Sequence, residues 1–249
     1  MHAMNEAPTP RLTRVKQGYT TGARSLASRS VGSLARTRVT PNALTTAGVT
    51  LCLAAAVIVP FESRDKLLYY WLGAAVFVVG SVLDILDGAL ARAGGKSTVF
   101  GAFLDSTTDR VGEGAVLAAI ALVFAHAGND IAVVFTIAAV AGSFLVSYVR
   151  AKAEALGLRG DVGLGSRAER VVVITAGLVL APWGVLQWAI YLLAATAWLT
   201  VLQRILHVRK QLTERPYQVP AVRALLPEGE RPVPGTGEHG IGGTNVHQR

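Results

Sequence analysis

The sequence predicts an all-α protein, a six-helix transmembrane bundle with an N-terminal juxtamembrane helix, on three observations. Hydrophobic residues make up 51% of the 249 positions and charged residues 16%, with a mean hydropathy of +0.43, proportions that belong to membrane proteins and not to soluble domains. The apolar residues fall into six stretches, 42–61, 67–91, 100–127, 130–157, 168–183 and 184–207, each near the roughly 20 residues that a helix needs to cross a bilayer. The cations gather between those stretches instead of covering a face, so the net charge of +8 points to lipid headgroups or a phosphorylated substrate and not to nucleic acid.

Residues 1–38 form a basic cytoplasmic or juxtamembrane segment. It has no apolar core of the kind a removable signal peptide carries. Within it, Leu26, Val31 and Leu34 recur at loose helical spacing over 22–36. That spacing permits a helix lying among headgroups, with a disordered basic arm as the alternative. The first span follows Pro41-Asn42, a common helix start. Spans two and three carry carboxylates among their apolar residues. Pro182, Trp183 and Gly184 interrupt an apolar run about twice the length of one span, which places a tight helical hairpin between spans five and six. Trp183 and Trp188, like Tyr69, Tyr70 and Trp71, suit a membrane interface. The transmembrane domain is expected over 39–213, followed by a Pro- and Gly-rich disordered cytoplasmic tail over 214–249.

Topology follows from the cations. Arg24, Arg29, Arg36 and Arg38 precede the first span, and Arg92 and Lys96 follow the second. Arg150, Lys152, Arg159, Arg167 and Arg170 follow the fourth, and Arg204, Arg209 and Lys210 close the sixth. Of the opposite connections, AHAGND and APWG contain no Lys or Arg, and FESRDK carries Arg64 and Lys66 balanced by Glu62 and Asp65. The positive-inside rule therefore puts both termini of a multi-pass plasma-membrane protein in the cytoplasm. The single cysteine, Cys52, rules out an internal disulfide and a cysteine metal site.

The chemistry is concentrated on spans two and three. Asp84 and Asp87 stand at i, i+3, and Asp105 and Asp109 at i, i+4, so each pair lies on one helix face. Four carboxylates in a membrane helix pair repel one another strongly at low dielectric unless a cation intervenes. An all-oxygen donor set selects Mg²⁺ or Mn²⁺ over zinc or copper, and two ions sharing the aspartates suit an in-line attack at phosphorus. Gly88 and Gly101 let backbone and phosphate approach closely, Arg92 offers a bidentate fork, and Thr98 a hydroxyl.

The string Asp84-Ile-Leu-Asp87-Gly88-Ala-Leu-Ala91-Arg92, eight residues, then Gly101-Ala-Phe-Leu-Asp105-Ser-Thr-Thr-Asp109 matches every fixed position of the CDP-alcohol phosphatidyltransferase signature. The sequence is identified on it as resembling that family. The resemblance implies a homodimeric six-helix enzyme that transfers a phosphatidyl group from CDP-diacylglycerol to an alcohol and releases CMP. It implies that the four aspartates hold the metals and that Asp109 also takes the proton of the attacking hydroxyl. Gly88, Arg92 and Thr98 would line the pyrophosphate. Pro41-Asn42-Ala43-Leu44-Thr45 is similar to an element of the family's cytidine pocket.

The acceptor is read from the cations after span four. Arg150, Lys152, Arg159, Arg167 and Arg170, with Arg204 one helix later at the same depth, exceed what a neutral alcohol requires and suit a phosphate dianion. The order Ser-Tyr-x-cation-Ala-cation-Ala-Glu, then Arg-x-Glu-Arg, then Gln-Arg resembles the family's actinobacterial phosphatidylinositol phosphate synthase branch. Arg150, Arg170 and Arg204 match its acceptor-phosphate residues, which implies inositol 1-phosphate. Arg150 and Lys152 stand where Lys and Arg are common, and Ser166 where an acid is. Glycerol 3-phosphate is the alternative acceptor. A carboxylate-based membrane transporter is the alternative of another class, disfavoured because the aspartates cluster toward the cytoplasmic side. A scaffold that has lost its activity would lack metal ligands that this chain retains. Glu113, Asp130 and Glu154 are read as capping or pairing residues, outside the site.

Overall fold

The computed structural model describes residues 40–93, 98–163 and 166–214. Among them are six α-helices and no strand: α1 (Pro41–Ile58), α2 (Lys66–Ala93), α3 (Val99–His126), α4 (Asp130–Ala155), α5 (Arg167–Val179) and α6 (Leu186–Glu214). Short 3-10 turns, Val59–Ser63 and Ala181–Trp183, follow α1 and α5. The expected juxtamembrane helix over 22–36 and the tail beyond residue 214 lie outside the described residues.

Four of the helical stretches, Pro41–Ser63, Lys66–Arg92, Asp130–Ala155 and Leu186–Thr213, are long and apolar enough to cross a membrane. The other two fall short for physical reasons. Helix α3 carries Asp105, Asp109, Arg110 and Glu113 within its span. Helix α5 has 13 residues, about 20 Å of rise against a hydrocarbon core of about 30 Å. Large apolar side chains such as Val57, Ile137, Val172 and Trp188 stand 60–65% exposed around the bundle, the reverse of a soluble surface and the expected state of a lipid-facing one.

Helix starts follow local capping rules. Thr40 caps α1, with Pro41 at its first turn. Thr98 caps α3, its hydroxyl accepting from Gly101 N at 2.9 Å, and Asn129 caps α4. Ser166 and Glu169 close a reciprocal capping box on α5. The hairpin between α5 and α6 forms where the sequence breaks, with Gly184 in the left-handed region at φ 78°, which glycine adopts without a Cβ clash. Helix α6 runs seven residues past the predicted 207, to Glu214. There the Gln211 side chain accepts from Arg159 N at 2.9 Å and donates to Arg159 O at 2.7 Å, holding the segment after α4 against the extended helix.

Helix α1 lies along α2 and α3, α4 along α6, and α5 between α2 and α6. Gly48 and Gly80 allow the closest approach: a Cβ on either would sit 2.8–2.9 Å from the other's carbonyl oxygen. The core, with Phe77, Leu117, Ile120, Ile174, Ile190 and Leu193, fills the half of the bundle away from Arg92. Tyr70, predicted at the interface, turns into this core at 5% exposure. Its neighbour Trp71 stays outside and donates to Val179 O at 3.1 Å. Toward Arg92 the interior becomes polar, with Asp84, Asp87, Glu113, Arg170 and Arg204 all buried.

Candidate active site

One oxygen from each of Asp84, Asp105 and Asp109 lies within 4.8 Å of the others. The i, i+4 spacing on α3 sets Asp105 and Asp109 on one stripe, and α2 brings Asp84 against it. Asp87, one turn along α2, stands outside this trio and lines the adjoining cleft beside Asp105. Its Oδ2 accepts a hydrogen bond from the buried hydroxyl of Thr45, and its Oδ1 is buried without a partner.

Helix α5 supplies the counter-charge. Arg167, the first residue of α5, donates to Asp84 and places Nη2 2.8 Å from Asp109 Oδ1. That oxygen is buried and makes no hydrogen bond of normal geometry. Three convergent carboxylates, an all-oxygen donor set and the unpartnered Oδ1 of Asp87 fit a hard divalent cation.

The adjoining cleft is lined by Pro41, Asn42, Thr45, Asp87, Gly88, Ala91, Arg92, Thr98, Gly101, Ala102 and Asp105. Pro41, Asn42, Thr45, Gly88, Arg92, Thr98 and Gly101, drawn from sequence, thus share one wall-to-wall space. Ala43 and Leu44 do not line it: Ala43 faces outward, and Leu44 packs with Leu90 in a small satellite cluster. Above Gly88 the Arg92 guanidinium occupies the room a side chain would take, with Nη1 3.3 Å from an added Cβ. Thr98 serves twice, as the α3 cap and as cleft lining.

The five predicted acceptor cations separate into distinct positions. Arg170 is buried and clasped by Glu113, with Nε to Oε1 at 2.7 Å and Nη2 to Oε2 at 2.8 Å. Arg204 is buried too, donating from Nε to Val162 O at 2.8 Å and from Nη1 to Val146 O at 2.6 Å. Arg150 is exposed and paired with Glu154 at 2.8 Å. Both Arg150 and Arg170 lie within electrostatic range of Arg204, as do the acids Asp161 and Glu154. Arg167 reaches into the carboxylates. Lys152, two residues beyond Arg150 and so about 200° around α4, is exposed and off the Arg150 face.

Sequence reasoning did not single out Thr45 as the partner of Asp87, nor Glu113 as the partner of Arg170. The available signal for Glu113 is its place four residues after Asp109, on the same stripe of α3.

The family model for CDP-alcohol phosphatidyltransferase matches residues 38–202. The phosphatidylinositol phosphate synthases of Mycolicibacterium smegmatis and Mycobacteroides abscessus are 40% and 39% identical, over 73% and 71% of this chain and 83% and 80% of theirs. The archaetidylinositol phosphate synthase of Methanothermobacter thermautotrophicus is 39% identical over 56% of this chain and 71% of its own. A crystal structure of the Mycobacterium tuberculosis phosphatidylinositol phosphate synthase with CDP-DAG bound has a TM-score of 0.66 at 32% identity, covering 74% of this chain and 94% of that one. Its complex with manganese and citrate gives 0.66 at 34% identity, covering 74% and 88%. Carboxylate trio, glycine-floored cleft and matched span agree: this chain belongs to the CDP-alcohol phosphatidyltransferase family.

Proposed function

We propose that the protein transfers the phosphatidyl group of CDP-diacylglycerol to inositol 1-phosphate, giving phosphatidylinositol phosphate and CMP. The observation that carries this reading is a carboxylate trio opening on a glycine-floored cleft, with Arg167 reaching into the trio and Arg150 and Arg170 within electrostatic range of Arg204. The cleft suits a pyrophosphate, the arginines a phosphate on the acceptor.

Asp84, Asp87, Asp105 and Asp109 would hold two divalent ions, Mg²⁺ or Mn²⁺, which when bound neutralise the pyrophosphate charge and stabilise the leaving CMP. Pro41, Asn42 and Thr45 border the nucleotide, and Arg92 over Gly88 orients the pyrophosphate. Asp109 accepts the proton of the acceptor hydroxyl. That hydroxyl oxygen bonds to the phosphorus attached to diacylglycerol, and the bond from this phosphorus to the CMP oxygen breaks. Arg170, Arg204 and Arg150 hold the acceptor phosphate. Arg167, paired with Asp84 and Asp109, would be released to the same phosphate if those carboxylates held cations. The enzyme works as a homodimer in the plasma membrane, with the catalytic domain over 39–213, both termini cytoplasmic, and the lipid substrate entering sideways from the leaflet.

The test is CMP release by purified protein with CDP-diacylglycerol and Mg²⁺, offering inositol 1-phosphate, free inositol or glycerol 3-phosphate. Release with inositol 1-phosphate, reduced by about a thousandfold in Asp109→Asn, is expected. Preference for glycerol 3-phosphate would move the acceptor to that phosphorylated triol, and an Asp109→Asn enzyme with full turnover would remove the base.

A further inference from the structure

Helices α3 and α5 do not pack closely backbone to backbone along their described residues. Two bridges of long side chains span the space between them. Arg167 reaches Asp109 at 2.8 Å, and one turn farther on Arg170 reaches Glu113 at 2.7 Å and 2.8 Å. Asp109 and Glu113 are four residues apart on α3, Arg167 and Arg170 three apart on α5, so the bridges stand about 4.5–6 Å apart along the helices. The first bridge lies at the reacting carboxylates, and the second closes the space behind it.

A buried ion pair is a weak source of stability, since a pair of apolar side chains of the same volume fills such a position at equal or lower free energy. What a bidentate carboxylate adds is direction: side-on contact through Nε and Nη2 fixes the plane of the guanidinium. Within electrostatic range of Arg204, that fixed plane decides where the buried Arg170 charge is presented.

We infer that Glu113 is a positioning residue for the acceptor: by clasping Arg170 across the space between α3 and α5, it sets the place of the acceptor phosphate relative to Asp109, both acids being carried on one rigid helix. This rests on the acceptor reading above. Glu113 touches no reacting atom, and its effect passes through Arg170.

The experiment is steady-state CMP release by the full-length protein, varying inositol 1-phosphate and CDP-diacylglycerol separately. For Glu113→Gln the KM for inositol 1-phosphate should rise about tenfold or more, while the KM for CDP-diacylglycerol stays within about twofold. Arg170→Gln alone should raise the acceptor KM similarly, and adding Glu113→Gln to it should change little further, because both act through one interaction. Glu113→Asp, which keeps the charge and withdraws it by one methylene, should fall between wild type and Glu113→Gln, and it stands in if the Gln variant does not fold. Unchanged acceptor KM in Glu113→Gln or Glu113→Asp, equal rises for both substrates, or additive effects in the double variant would overturn the inference. A wild-type enzyme that ignores inositol 1-phosphate would instead overturn the acceptor reading, and the same variants would then be compared on glycerol 3-phosphate.

Discussion

The cleft floored by Gly88 and Gly101 and the arginine region beside it are built on opposite plans. The cleft uses mostly short side chains at the ends of α1, α2 and α3. The arginine region uses long side chains from three helices, and its two buried members are tied down, Arg170 by a carboxylate and Arg204 by two backbone carbonyls. The cleft achieves its shape by leaving atoms out. The arginine region achieves its shape by fixing flexible groups, so there binding and folding draw on the same bonds.

Three substitutions sharpen this contrast. Arg204→Ala has the largest expected effect, because it removes two charge-assisted hydrogen bonds, to the carbonyls of Val146 and Val162. At about 1.5–3 kcal/mol for each bond to a charged group, the loss should appear as a much lower unfolding temperature in detergent and a poor yield of folded protein. Gly88→Ala comes next and acts on binding alone. The new methyl displaces the Arg92 guanidinium, now 3.3 Å from that position. The KM for CDP-diacylglycerol should rise about tenfold, or 1.4 kcal/mol, with thermal stability unchanged. Thr98→Ala is the smallest. It removes the α3 cap at 2.9 Å, worth about 1 kcal/mol, and should lower the unfolding temperature by about 2–4 °C with a modest rise in the same KM. A stable Arg204→Ala enzyme altered in acceptor KM alone would erase the distinction between the two plans.

The helices were legible because apolar length, proline, glycine and capping hydroxyls act within a few residues of one another. Thus α2, α3 and α4 lie close to their predicted bounds, and the break at Pro182–Gly184 forms as read. The extra turns of α6 were not legible, since they depend on the Gln211 contact with Arg159, 52 residues away. The same divide runs through the site. The aspartates and the Gly88–Arg92 pair announce themselves by local spacing. The pairings of Glu113 with Arg170 and of Arg167 with Asp84, across 57 and 83 residues, carry no local mark. Ala43 and Leu44 went astray because a motif names consecutive residues, whereas a helix turns only part of them toward the cleft.

The 13 residues of α5 have a consequence for how this chain can vary. Adding one turn ahead of Arg167 would leave its partners in reach, but adding four residues between Arg170 and the Gly184 hairpin would push both arginines about 6 Å along the axis and about 40° around it. Neither bridge to α3 would then close. The distance from Arg170 to that hairpin is therefore a dimension of the enzyme, held as tightly as the spacing of its aspartates.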